Sequence, residues 1–353
     1  MTAAAPVAPA ADAVLGPSAR WESAETPAAE WAARVARCGG SFFHAPPALG
    51  ASLPAGEPLY ATLRSGNEVL AVAAGVACGC RVSARPRHLR FAAFPATAPG
   101  VERAHAAELL ARWLAGGGAA EVEIGSFASP CEGPPPRGAL PGRARTEFVL
   151  PLCADASPLD GLGKTHRRHV AAGKRAGWRL RALDGAEAAG VLGRVQLEAS
   201  RRATARGDGF AAGAFAAGSA PAAGLAAPWG VLTFAACDGD APLAAARVGW
   251  GNQRAFYLVG GSTPEGYRQS AAAWLHASIA TLLAGAGLTE YGLGGTPAEA
   301  ADPGHPAHGL HRFKAGFGAS AVACRGLRWE HAPAHLRAHR LLGRLTSLVS
   351  AGR

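Results

Sequence analysis

Short apolar runs bounded by turn residues alternate along this chain with stretches of helical periodicity. Glu68–Gly75 and Arg87–Ala96 are such runs and predict strands. From Val101 to Leu114, Leu109, Leu110, Trp113 and Leu114 recur at helical spacing, and the pattern stops at Gly116-Gly117-Gly118. A strand is predicted at Glu121–Ile124 and, after the Pro/Gly-rich stretch Pro130–Pro141, another at Thr146–Leu152. A short helix precedes them all, around Ala28–Cys38. The second half repeats this order. Val231–Ala236 and Pro242–Trp250 flank Asp238-Gly239-Asp240, a hairpin signal, and Arg254–Val259 predicts a third strand. A helix follows over Ala271–Ala284, then a strand over Leu288–Leu293. His88 to Arg254 is 166 positions, while His105 to Ala272 and Glu123 to Glu290 are each 167. A nearly constant offset across strand, helix and strand is what a duplicated unit leaves. The expected class is therefore α/β (α+β), two tandem units with mixed sheets flanked by helices and no coiled-coil arm. Residues 1–18 read as a disordered Ala/Pro tail, 19–155 as the first unit, 156–332 as the second, and 333–353 as a basic C-terminal helix.

Composition narrows the class. With 49% hydrophobic and 17% charged residues in 353, the chain has material for a packed core and does not resemble a disordered protein. Seven Cys without a CxxC pair argue against a disulfide scaffold or a zinc ribbon. The N-terminus lacks a basic region before its apolar stretch, and no long uninterrupted apolar segment predicts a membrane span. A cytoplasmic protein is the expectation. The formal charge of +10 suits a polyanionic partner such as tRNA, a nucleotide or an anionic membrane surface. Lysine occurs only at Lys164, Lys174 and Lys314, against 32 Arg, which singles out those three positions.

Chemistry concentrates in Gly163–Trp178. On a helix, Lys164, Arg167, Arg168 and Arg175 fall three, four and seven apart, a face that either binds phosphate or is simply solvated. Three further runs stand out: Arg206-Gly207-Asp208-Gly209-Phe210, Thr289-Glu290-Tyr291-Gly292-Leu293-Gly294-Gly295, and Leu310-His311-Arg312-Phe313-Lys314-Ala315-Gly316-Phe317-Gly318. Gly163–Trp178 and these three runs, in this order, resemble the junction segment, the R-D-G-F element, the strand with its glycine turn, and the L-x-x-F-K-x-G-F-G signature of the Fem-type (FemABX) aminoacyltransferases. Those are tandem copies of the GNAT fold, and the resemblance extends over about residues 45–330.

The resemblance implies two tandem GNAT-like domains and an N-acyltransferase that moves an aminoacyl group from aminoacyl-tRNA to an amine. It places Phe313 and Lys314 at the acceptor end of the tRNA, where an ammonium would stabilise the oxyanion of aminolysis. It places Arg206 on a diphosphate; read locally, the same Arg206 caps a helix end before a Gly-rich loop. The peptidoglycan branch has a phosphate-binding lysine early in its first copy, whereas Ser41–Ala51 here contains neither Lys nor Arg. A peptidoglycan precursor is accordingly one acceptor among others; any small-molecule or nucleotide-linked amine fits.

An acyl-CoA donor is the alternative. The expected pyrophosphate loop is Arg268-Gln269-Ser270-Ala271, where Ala271 replaces the first glycine and weakens the match. Read locally, Ser270 is an N-cap and Arg268 an ordinary helix-start residue. A non-catalytic RNA-binding module is the third reading. His305, His308 and His311 lie three apart in what reads as a loop, and are taken as structural; no metal is expected. No bound cofactor is expected beyond the donor co-substrate. Arg337, Arg340 and Arg344 on a helix over Leu336–Leu348 suggest a packed helix with a basic outer face, peripheral contact with tRNA or membrane being the other option.

Overall fold

Two parallel strand–helix–strand crossovers organise the computed structural model, which describes residues 19–342 except 26–27, 54–55, 79–86, 131–133, 154–156, 208–224, 226, 333 and 339–340. The expected tail lies outside the described residues. In chain order the first half runs β1 (Arg20–Ser23), α1 (Ala28–Arg37), α2 (Pro46–Ser52), β2 (Glu57–Ser65), β3 (Glu68–Cys78), β4 (Arg87–Phe91), β5 (Ala96–Thr97), α3 (Arg103–Gly116), β6 (Ala119–Ile124) and β7 (Leu140–Pro151). The second half runs α4 (Lys164–Arg175), β8 (Arg179–Leu183), α5 (Gly185–Arg206), β9 (Trp229–Asp238), β10 (Ala241–Gly251), β11 (Arg254–Ser262), α6 (Pro264–Arg268), α7 (Ala271–Gly285), β12 (Glu290–Pro297), α8 (His308–Ala315) and β13 (Ser320–Glu330).

The duplicated unit is visible in the pairing. β4 runs parallel to β6 with α3 between them, and β11 runs parallel to β12 with α7 between them. Arg90 opposes Glu123 in one unit and Arg254 opposes Glu290 in the other, so relative to the repeat offset the two parallel pairs differ in register.

The halves are not separate sheets. One sheet has the strand order β1-β2-β3-β4-β6-β13-β7-β12-β11-β10-β9-β8, with β5 on β3. Each half's last strand completes the other half: β13 pairs with β6, and β7 pairs with β12, while β7 and β13 pair with each other. The position expected for a domain boundary, near residue 155, therefore follows a strand that belongs in space to the second half. Packing agrees. Leu327 and Trp329 of β13 join Leu63, Phe91, Leu110 and Val122 in the first half's core. Phe148 and Leu150 of β7 join Trp178, Phe234, Trp274 and Tyr291 in the second's. Each such side chain contributes about 1.5–3 kcal/mol by leaving water, so the exchange binds the halves together.

Some elements differ from the sequence expectation. The run Arg87–Ala96 splits into β4 and β5, because Ala92, Ala93 and Phe94 leave the ladder and are buried. The stretch Ser41–Ala51, which carries no phosphate-binding lysine, is a packing plug. Phe42 and Phe43 are buried with Ala92 and Ala93 of the first half and Val231, Phe256 and Leu258 of the second. Where a C-terminal helix was expected, residues 334–338 and 341–342 are helical. Leu336 is buried and Arg337 exposed, but Leu341 and Leu342 are exposed instead of packed. No helix among the described residues is long and apolar enough to cross a membrane.

Candidate active site

Parallel pairing of β11 with β12 holds from Arg254–Glu290 to Phe256–Gly292 and goes no further. Beyond it β12 bulges against β7 between Gly292 and Gly295, and Gly294 takes φ +73°. That left-handed backbone favours glycine. The sheet therefore opens, and a cavity of about 1930 Å³ lies in the opening, walled by both halves.

Lys314 stands in this wall, on the last turn of α8, and is only 5% exposed. Its Nζ donates to the carbonyl of Gly295 at 2.9 Å and lies 6.0 Å from the centre of the Tyr257 ring. Burial pulls its pKa down from 10.5 to about 7; the Arg145 guanidinium pushes the same way and the Glu147 carboxylate opposes both. Glu147 is itself buried, which raises its pKa, while Arg145, the Ala128 amide and Lys314 act to lower it. A lysine on an eight-residue helix beside a glycine turn thus stands as a cation of adjustable charge in a largely desolvated wall.

Phe313 is half-buried between His166 and Phe317, with ring centres 5.2 Å from each. Its carbonyl receives a hydrogen bond from His166 Nε2 at 2.9 Å. A carbonyl only accepts, so Nε2 carries the proton and, in the neutral ring, Nδ1 carries the lone pair. Burial lowers the His166 pKa and the Phe313 carbonyl partly restores it. His276, from α7, also lines the cavity. Its Nδ1 is 2.9 Å from the Tyr291 hydroxyl and its ring meets Tyr257 edge-on at 4.8 Å. Burial, then Lys314 and His166, hold its pKa down at about 3.

The remaining expected site residues are distributed unevenly. Lys164 is exposed at the cavity wall. The side of α4 that meets the cavity carries Thr165, His166 and His169, not the arginines. At about 100° per residue, Arg168 and Arg175 sit roughly opposite His166. Both are exposed away from the cavity, and Arg167 turns back to the Leu162 carbonyl at 2.6 Å. Of the expected phosphate face, Lys164 alone lines the cavity. Arg206 ends α5, followed by Gly207 in left-handed conformation as the C-cap; its side chain and residues 208–210 lie outside the described residues. Arg268 is exposed and ion-paired with Glu265, so it does not line the opening. Ser270 does line it. It holds the N-cap position of α7 with φ +57°, but its hydroxyl caps nothing, which corrects the expected N-cap role.

The stretch His305–His311 is not all loop, since α8 begins at His308. His305 Nδ1 accepts from the Ala307 amide and His308 Nδ1 donates to the Ala300 carbonyl, bonds that fix the turn. Among the described residues no three His, Cys, Asp or Glu side chains gather as metal ligands. Sequence reasoning missed the first half's share of the wall: the pairs His88–Glu121 and Arg90–Glu123, each at 3.3 Å, and Arg145. It also missed His276, whose one signal was a lone histidine in an otherwise apolar helix.

Residues 163–314, from the start of the junction helix to Lys314 itself, match the family model of an acetyltransferase (GNAT) domain. FemX is similar in structure at a TM-score of 0.65 and 13% identity, over 90% of this chain and 100% of that one. A tandem GNAT protein from the clavulanic acid biosynthesis pathway gives 0.50 at 14% identity, over 89% and 98%. A conserved protein of unknown function from Bacteroides thetaiotaomicron gives 0.50 at 9% identity, over 87% and 98%. No curated protein matches the chain significantly. The opened sheet, the duplicated crossover and these likenesses agree: the chain shares the fold of FemX and of the tandem GNAT protein, and its second half carries a segment matching a GNAT acetyltransferase domain.

Proposed function

We propose that this N-acyltransferase takes an aminoacyl group from aminoacyl-tRNA and transfers it to a small-molecule or nucleotide-linked amine. The observation that carries the reading is Lys314, the buried member of three lysines, held by Gly295 in the wall of a cavity that both halves share. Attack of an amine on the ester forms a tetrahedral oxyanion, and its collapse releases the 3′-hydroxyl of the tRNA. A fixed ammonium at that oxygen is worth roughly 2.7–4 kcal/mol by comparison with other oxyanion donors. Half-buried Phe313 shields the ester from water, and exposed Lys164 meets phosphate at the rim. The charge of +10 supports a nucleic-acid partner.

The test is binding to aminoacylated tRNA, deacylated tRNA and acetyl-CoA across a salt series. Steeply salt-dependent binding that prefers the charged tRNA is expected. Saturable binding of acetyl-CoA with weak, unselective RNA binding overturns the reading.

That second outcome is the acyl-CoA reading, and one observation favours it. Ser270 leaves the first turn of α7 without a side-chain cap where it meets the cavity, an arrangement that suits a pyrophosphate. Against it, Arg268 is occupied by Glu265 and Ala271 stands where the loop wants glycine.

A further inference from the structure

Strand β7 carries three charged residues close together, Arg143, Arg145 and Glu147. Side chains alternate along a strand, so Arg145 and Glu147 point the same way about 7 Å apart, and Arg143 lies just beyond, where β7 slips by one residue against β13. The two arginines line the cavity, and Glu147 at the end of the row is buried.

Arg145 is held on every side. Its Cζ lies 4.2 Å from the centre of the Phe127 ring, and it forms an ion pair with Glu147 at 3.0 Å. It also packs on Gly295, where a Cβ would stand 2.7 Å from both Nε and Nη2. Phe127 is fixed in turn by stacking on Phe43 at 5.0 Å. The next residue, Ala128, takes φ +51° and donates its amide to Glu147 at 3.1 Å. Non-glycine residues adopt that backbone only where the surroundings enforce it.

Lys314 holds the carbonyl of the same Gly295. Two cations thus converge on one glycine, and Glu147 is the carboxylate that acts on both. Elsewhere on this wall Arg90 is paired with Glu123 and Arg328 with Glu330 at 3.2 Å, while Lys164, Arg202 and Arg312 also line it, Arg202 donating to the Ser262 carbonyl. With Lys314, the β7 row brings three cations, Arg143, Arg145 and the lysine, to the single carboxylate of Glu147.

We propose that Arg143 and Arg145 receive a compact oxyanion, a carboxylate or a phosphate, carried by the amine acceptor and holding its amino group toward Lys314. This deepens the N-acyltransferase reading and rests on it. Arginine suits the task, because its planar fork meets a carboxylate or phosphate with two parallel hydrogen bonds. An anion placed there also offsets the repulsion between Arg145 and Lys314.

The groups set against Lys314 are Arg145 and Glu147 from β7, Tyr257 from β11 and His276 from α7, with His166 of α4 acting on His276, and His311 and Arg312 are its neighbours along α8. Of these, Arg145 is the cation that an acceptor anion would neutralise.

With three lysines in the chain, side-chain NMR of isotope-labelled lysine resolves Lys314 in the intact protein. The probes are alanylalanine, its C-terminal amide and inorganic phosphate. Alanylalanine is expected to raise the Lys314 titration midpoint by about half a pH unit or more, and the amide to leave it unmoved. A response to phosphate alone assigns the oxyanion to a phosphate source. In Arg145→Met the midpoint is already raised without ligand and no probe moves it. Arg145→Lys keeps the resting midpoint but loses about tenfold of the preference for the dipeptide over its amide. Unchanged Lys164 and Lys174 signals show that the variants are folded. Equal responses to dipeptide and amide, equal responses in wild type and Arg145→Met, or no response to any probe each overturn the proposal. None of these readings involves tRNA, so they stand apart from failure of the donor assignment.

Discussion

Lys314 is buried at a thermodynamic cost that can be measured. Replacing it with Met keeps its length and removes its charge. In the folded chain its pKa is about 7, against 10.5 ordinarily. Between those values the unfolded chain binds the proton and the folded chain does not, so this residue makes stability rise with pH across the window and fall as pH drops from 10.5 to 7. Integrating the linkage relation, its penalty at pH 6 exceeds that at pH 10 by about 4 kcal/mol. Met escapes the penalty but leaves the Gly295 carbonyl without the 2.9 Å bond from Nζ, a loss of about 1–3 kcal/mol. Lys314→Met should therefore be more stable than wild type at pH 6 by roughly 2–4 kcal/mol, and level or less stable at pH 10. Urea unfolding of both proteins at several pH values gives the difference directly, since other titrating groups largely cancel. A difference that does not vary with pH, or a variant destabilised at pH 6, refutes the reasoning. Transfer activity should drop by about 10²–10³ below pH 7, where Lys314 is an ammonium, and by less as the pH rises above it.

Gly173 on α4 faces Trp274 and Trp178, where a Cβ would stand 2.5 and 2.6 Å from ring atoms, so Gly173→Ala should cost about 1–3 kcal/mol by overpacking, read as a lowered urea midpoint. Gly294→Ala adds strain of about 1–2 kcal/mol at φ +73° and sets a methyl 3.3 Å from Lys314 Nζ; transfer should fall more than stability, measured by kcat alongside thermal unfolding. His276 and His44 are held by burial at about 3 and about 4, so the unfolded chain binds protons there first. Stability should fall as pH drops below 6.5, by up to about 1.4 kcal/mol per pH unit for each histidine, and a flat profile of thermal midpoint from pH 6.5 to 4.5 contradicts this.

What the sequence showed, it showed through periodicity and through glycine. The offset of 166–167 located both crossovers because strand–helix–strand units carry their pattern locally. The Phe313-Lys314 pair and the Gly294-Gly295 turn were legible because an unusual backbone and a rare residue leave marks in composition. The body of helix α5 was overlooked, although Arg206 read as a helix end and Ala188, Val191, Leu192 and Val195 fall at i, i+3, i+4 and i+7; most of its other positions are Ala, Gly and Arg, which dilute the stripe. The arginines of α4 looked like one face by spacing, yet the helix turns His166, Val170 and Gly173 inward and sends Arg168 and Arg175 away. Arg145 could not be found by motif. Its importance comes from the bulge at Gly295 and from Phe127 some 18 positions earlier, contacts that exist only once β7 lies against β12.

The strand exchange explains why the site outruns the segment that resembles a GNAT domain. That segment begins at Gly163, after β7 has ended at Pro151. Yet β7 delivers Arg145 and Glu147, the two charged residues that, after burial, act on the pKa of Lys314. It also delivers Phe148 and Leu150 to the second half's core and covers the edge of β12. A fragment beginning at residue 156 would therefore lose about 3–6 kcal/mol from those two side chains alone, a large share of the 5–15 kcal/mol that holds a typical domain together. It would also expose β12 as an unpaired edge, a template for aggregation. The expected outcome is an insoluble or molten fragment, whereas one beginning at residue 138 should recover solubility. Gel filtration and near-UV circular dichroism of the two fragments decide the matter. A well-folded monomer from residue 156 would mean that β7 is an accessory to the second half, and that Lys314 owes its environment to its own half alone.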